Sequence, residues 1–96
     1  MLQLDNQDIH KVIGSLRPAQ RKKTALEIGK LLKHGKITTD ELPVVLGLVD
    51  QLVSDTAVEV RRAIAESAAT SPHLPVEVIH QIASDVDEVS LPVIKF

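Results

Sequence analysis

The 96-residue sequence predicts an all-α chain of about six helices, paired into three antiparallel hairpins that stack on one another. Three observations carry that reading. Apolar residues recur at helical spacing along nearly the whole chain. No stretch alternates with period two and no Asn-Gly or Asp-Gly pair separates two apolar runs, so a sheet is not expected. Finally, Gln51-Leu52-Val53-Ser54-Asp55 returns as Gln81-Ile82-Ala83-Ser84-Asp85, and Glu59-Val60 returns as Glu88-Val89 after one residue fewer. A short repeat of this kind, helix then Asp-containing turn then helix, is how a solenoid is written in sequence, each hairpin covering its neighbour's apolar face.

Each element has its own signals. In the first helix Ile9, Val12, Ile13 and Leu16 fall on one face, with Asp5 or Asn6 as cap. Pro18 opens the second, where a missing N–H costs nothing. Its expected inner face is Ala25, Ile28 and Leu32, with Leu31 beside it; Lys30 and Lys33 suit the negative end of the helix dipole. Gly35 is placed for a left-handed C-terminal residue, with Ile37 as the accompanying apolar contact. Thr39 or Asp40 caps the third helix, whose stripe is Leu42, Val45, Leu46, Val49, Leu52 and Val53. Thr56 with Glu59 reads as a capping box for the fourth, with Val60, Ala63, Ile64, Ser67 and Ala68 inward. Ser71-Pro72 ends it. Pro75 is expected as the first residue of a fifth helix carrying Val76, Ile79 and Ala83 inward. Asp85-Val86-Asp87 is a turn, and a sixth helical segment begins near Val89, with Pro92 in its first turn or at a bend.

Composition narrows the chemistry. Phe96 is the only aromatic residue, so the core has to be aliphatic. With no cysteine, disulfides and thiolate metal sites are excluded, and a reducing compartment fits. Met1 leads into a polar, acidic stretch rather than a secretory signal. The longest apolar run, Leu42 to Val49, holds Pro43 and is far too short to cross a bilayer. The expectation is a cytoplasmic protein with no membrane segment and no cofactor.

The net charge of −2 conceals a division: residues 1–36 hold eight Lys/Arg and three Asp/Glu, residues 37–96 three and ten. Such a two-ended chain favours head-to-tail packing or a polar partner surface. Catalytic motifs fail one by one. Gly29 to Lys36 is one residue too long for a phosphate loop, Ile37 stands where Ser or Thr must hold magnesium, and no strand precedes it. Glu77 and His80 form a single Glu-x-x-His, where a di-iron site needs two such motifs and further carboxylates. His10, His34 and His73 are scattered, and no Gly-x-Ser-x-Gly elbow is present. The basic residues Arg17, Arg21, Lys22, Lys23, Lys30 and Lys33 form a candidate partner-binding face, read equally well as a solvated helix face. No aromatics accompany them for base stacking.

The stretch Asp55 to Ala65, an Asp, then Val60-Arg61, then the small-residue run Ala63-Ile64-Ala65, resembles the turn and second helix of a HEAT repeat. More narrowly, the order of features is similar to that of an uncharacterised family of HEAT-like proteins found chiefly in alphaproteobacteria, a domain of unknown function. The features are Arg21 with the Ala25-Leu26 helix, Glu41, Leu52-Val53-Ser54-Asp55, Val60 to Glu66, Leu74-Pro75, Ala83-Ser84-Asp85, Val89 and Leu91-Pro92-Val93-Ile94, spanning roughly residues 17–96. The resemblance implies a short right-handed superhelical stack over residues 1–96. It leaves open a single self-contained domain or the N-terminal part of a longer repeat protein. It also implies a structural polar ladder between repeats made by Asp55, Arg61 and Asp85, in which Arg61 reaches Asp85 of the next repeat or Asp55 of its own. The expected function is a non-enzymatic module that binds a protein partner, with self-association through the open C-terminal end, Leu91 to Phe96, as a further expectation. The alternative is nucleic-acid binding through the basic N-terminal helices.

Overall fold

The computed structural model describes residues 6–69 and 71–94, and the side chains of all of these except residues 6–9 and Val93. Six helices run through them: α1 (Asn6–Gly14), α2 (Pro18–His34), α3 (Leu42–Val53), α4 (Val58–Ala68), α5 (Val76–Ala83) and α6 (Asp87–Ile94). No strand occurs among the described residues. Short turns join α1 to α2, α3 to α4 and α5 to α6; the last two pairs pack helix on helix, while α1 packs chiefly on α3. The second helices of the pairs, α2, α4 and α6, lie side by side in one layer, while α1, α3 and α5 form the other. The radius of gyration is 12.7 Å, against about 13 Å for a compact domain of this size.

The helix starts follow local chemistry. Pro18 occupies the first turn of α2, and Gln20 Oε1 accepts the Arg17 N–H at 3.1 Å. Neither Thr39 nor Asp40 caps α3: its N-cap residue is Glu41, which a reciprocal pair ties to Thr38 in the preceding turn, Glu41 N–H donating to Thr38 Oγ1 (3.2 Å) and Thr38 N–H to Glu41 Oε1 (3.1 Å). These bonds hold the Glu41 carboxyl below its ordinary range. The Thr56–Glu59 box does not form. Asp55, one residue earlier and already held in place, accepts the Ala57 N–H on Oδ1 at 2.9 Å and so shapes the turn ahead of α4, whose N-cap residue is Ala57, with no side-chain cap bond. Pro75 is the cap of α5 rather than its first residue. Asp87 is helical, because α6 begins there with Asp87 and Glu88 at its positive end, and Pro92 lies inside the helix beyond the first turn. Gly35 is extended (φ −80°, ψ 158°), not left-handed. The chain leaves α2 straight, with Gly35 N–H still bonded to Leu31 O, and carries Ile37 across to the core.

The core is aliphatic, with Leu32, Leu52, Ile64, Ile82, Val49, Val60 and Val89 as its largest fully buried side chains. Two stripes sit differently from the sequence expectation. Among the described side chains of α1 Ile13 is buried and Val12 faces solvent, while Ile9's side chain and the Asp5 cap lie outside the described residues. In α5 the buried pair is Val78 and Ile82; Val76 is exposed, and Ile79 and Ala83 are half-buried. The α2–α4 seam is built from small residues. Gly29 is buried, and a Cβ there would overlap the Ser67 side chain. Ser67 Oγ donates to Ala63 O (2.6 Å), and Ser71 Oγ reaches Leu32 O near the end of α2 (3.0 Å).

Candidate functional site

Two forked Arg–Asp pairs run along the turn end of the stack. Arg61, the fourth residue of α4, forks onto Asp85 in the next turn, Nε to Oδ2 at 2.8 Å and Nη2 to Oδ1 at 3.2 Å. Its remaining nitrogen, Nη1, donates to Asp55 O in its own turn at 2.8 Å. Arg21, the fourth residue of α2, repeats the pattern one hairpin earlier. Nε and Nη2 meet Asp55 at 2.7 and 3.1 Å, and Nη1 donates to Leu16 O at 2.6 Å. Each guanidinium therefore ties the turn behind it to the turn ahead, in the bidentate geometry that only Arg offers. The Arg21–Asp55 side chains are 14% and 7% exposed and those of Arg61–Asp85 17% and 15%, so solvent screens both pairs much less than an open surface pair. Burial pushes the Asp85 carboxyl up, but the Arg61 fork, the Val86 N–H and the Arg61 charge outweigh it and leave it below its ordinary range. Asp55 in turn raises the Arg21 guanidinium.

A second set of contacts accounts for the repeated glutamine. Gln51 Nε2 donates to His10 O of α1 (2.9 Å), and Gln81 Nε2 to Val53 O, the last residue of α3 (3.4 Å), and to Ser54 Oγ at its C-cap (2.9 Å). Each Gln thus reaches carbonyls toward the C-terminal end of the preceding first-layer helix. Gln51 Oε1 is buried without a protein partner. Gln51 also lines a notch of ≈ 270 Å³ with Gly14, Arg21, Ser54, Asp55 and Thr56.

Of the sequence-picked residues, the structure brings Asp55, Arg61 and Asp85 together, with the Arg61 fork on Asp85 and its backbone contact on Asp55. Arg21 leaves the basic face, because its fork is committed to Asp55. Sequence reasoning missed this role; the signal was its place in α2, matching that of Arg61 in α4. Arg17, Lys22, Lys23, Lys30 and Lys33 are all exposed.

Lys22 also lines an open groove of ≈ 430 Å³ between α2 and α4, continued by α6. Its apolar lining is Leu26, Val58 and Ala63; its charges are Lys22, Glu59, Arg62, Glu66 and Glu88. Arg62 bonds Glu66 one turn on at 2.7 Å, an exposed pair of small energetic weight that raises the Arg62 guanidinium further. Among the described residues no three His, Asp or Glu side chains come close enough to hold a metal ion, and no helix is long and apolar enough to cross a membrane. Compared with protein-family models, curated proteins and solved structures, the chain matches none.

Proposed function

We propose that this chain is a non-enzymatic helical-repeat module of the HEAT-like kind, and that it binds a protein segment in the groove between α2 and α4. The observation that carries the reading is how the charges are used. The forked arginines and their aspartates, the most precisely oriented polar groups, hold the hairpins to one another. The groove keeps a mixed set: Lys22, Glu59, Glu88 and the Arg62–Glu66 pair around an apolar lining. Both signs in one trough suit a polypeptide segment that presents cations, an anion and an apolar side chain. The cysteine-free sequence suits a reducing cytoplasm, and we extend the proposal there.

A second reading, nucleic-acid binding, rests on the exposed cations Arg17, Lys22, Lys23, Lys30 and Lys33 of the first pair of helices. It is weaker because Arg21 is engaged elsewhere and Lys22 shares its groove with three carboxylates. One experiment separates the two. Tagged wild type, Glu59→Lys/Glu88→Lys and Lys23→Glu/Lys30→Glu chains are used to capture partners from the source organism. The protein-binding reading requires a partner lost with the first variant and kept with the second. DNA retention that falls steeply with salt, and falls again with the second variant, carries the alternative.

A further inference from the structure

The exposed large apolar side chains are not scattered. Val12 and Leu31 lie on the first pair of helices, and Val76, Val86, Leu91 and Ile94 on or beside the last pair; the middle pair contributes only Val58 in the groove. The stack is therefore apolar at its two edges and quiet between them. From these edges and their charges we propose that copies of this chain pair head to tail, the α1/α2 edge of one seated on the α5/α6 edge of the next.

Helical geometry supplies the details. In α2, Ala25, Gly29 and Leu32 are buried toward α4, which leaves Lys23, Glu27, Lys30 and Leu31 on the opposite side. In α6, Val89 and Ser90 are buried, which leaves Asp87, Leu91 and Ile94 facing away. Leu31 is 37% exposed, Leu91 44% and Ile94 63%. The first edge presents Lys23 and Lys30, with Glu27 between them, beside Leu31, and the second presents Asp87 on the face of Leu91 and Ile94. Opposite charges meet in a head-to-tail contact, whereas two α6 edges facing each other bring carboxylate against carboxylate. The arginine forks take no part. Ser15 stands six residues before Arg21, where Asp55 stands before Arg61, and Ser90 is the fourth residue of α6, where α2 and α4 carry arginine. The contact between copies is apolar burial steered by charge.

A heterologous contact of this type has a distinctive test, because each copy owns two different edges. Sedimentation velocity on the full chain is compared for wild type, Leu31→Asp, Leu91→Asp and an equimolar mixture of the two variants. Circular dichroism melts verify folding, and Lys30→Glu and Ile94→Asp serve as a second pair. The expected result is a wild-type mass that climbs with concentration above 10.5 kDa, each variant monomeric alone, and a mixture that gives a species of twice that mass and no larger. Association should weaken with added salt, and the groove variant Glu66→Lys should leave it unchanged. A wild type that stays monomeric at millimolar concentration overturns the proposal. So does a Leu31→Asp chain that self-associates like wild type, which is the signature of a symmetric α6 contact, or a mixture that gains nothing over its components.

Discussion

Arg61 makes bonds at both ends of its guanidinium, and that is why its replacement is informative. Removing it leaves Asp85 without its fork and Asp55 O without a donor. Lost hydrogen bonds to charged groups run to about 1.5–3 kcal/mol. Arg61→Ala should therefore lower stability by about 2 kcal/mol in urea melts. Arg61→Lys should recover only part of this, since an ammonium cannot fork. Lys22→Ala, exposed and without an ion-pair partner among the described residues, should stay within about 0.5 kcal/mol. Equal, negligible effects for Arg61→Ala and Lys22→Ala would remove the clasp from the account of stability. Asp85 adds a pH dependence. Its folded pKa lies below its unfolded value, so its contribution is complete above the ordinary carboxylate range of about 4 and is lost as pH falls through the folded value. Glu41 has the same sign. Asp85→Asn should be less stable at neutral pH and should show a shallower fall in Tm between about pH 5 and pH 2 than wild type. Parallel acid limbs for the two chains would contradict it.

At the scale of elements, what was legible in the sequence was whatever local spacing decides. Six helices, the Pro18 start and the α4 face of Val60, Ala63, Ile64 and Ala68 follow from period and caps alone. The α5 face did not. In Val76-Glu77-Val78-Ile79-His80-Gln81-Ile82-Ala83, both Val76/Ile79/Ala83 and Val78/Ile82 have helical spacing, and only packing against α3 and α6 selects the second. Arg21 was hidden by Lys22 and Lys23, which make the run look like a solvated face. Gly29 was hidden because a glycine in mid-helix is read as a weak spot, whereas here it admits Ser67. Gly29→Ala should thus destabilise, by about 1–3 kcal/mol for overpacking, although Ala is the better helix former. Gly29→Ala combined with Ser67→Gly, which removes both side-chain atoms that the new Cβ would meet, should recover part of that loss. A stabilised Gly29→Ala chain would mean that the seam opens freely. Likewise Leu52, fully buried, should cost about 2–5 kcal/mol on truncation to Ala, and half-buried Leu46 clearly less.

For the whole molecule, the three helix pairs are not held equally. α2 and α4 share a long seam closed by Gly29, Ser67 and Ser71, with the Arg21–Asp55 fork at its turn end. The α5–α6 pair is shorter, eight residues per helix, and among the described residues its side-chain polar ties to the rest are the Arg61 fork and Gln81. In a stack where each pair touches only its neighbours, stability is close to a sum of pair and interface terms, so a weak interface can open before the rest. Arg61 spans that interface and Arg21 the stronger one. Native-state hydrogen exchange should read the difference. In wild type, amides of α5 and α6 should exchange faster than those of α2 and α4. Arg61→Ala should speed exchange in α5 and α6 while leaving the α2–α4 seam near its wild-type protection. Arg21→Ala should act on the turn end of the seam and, through the loss of global stability, on all helices more evenly. If Arg61→Ala speeds every helix by the same factor, the chain opens as one cooperative unit, and the fork contributes to global stability without setting a boundary between hairpins.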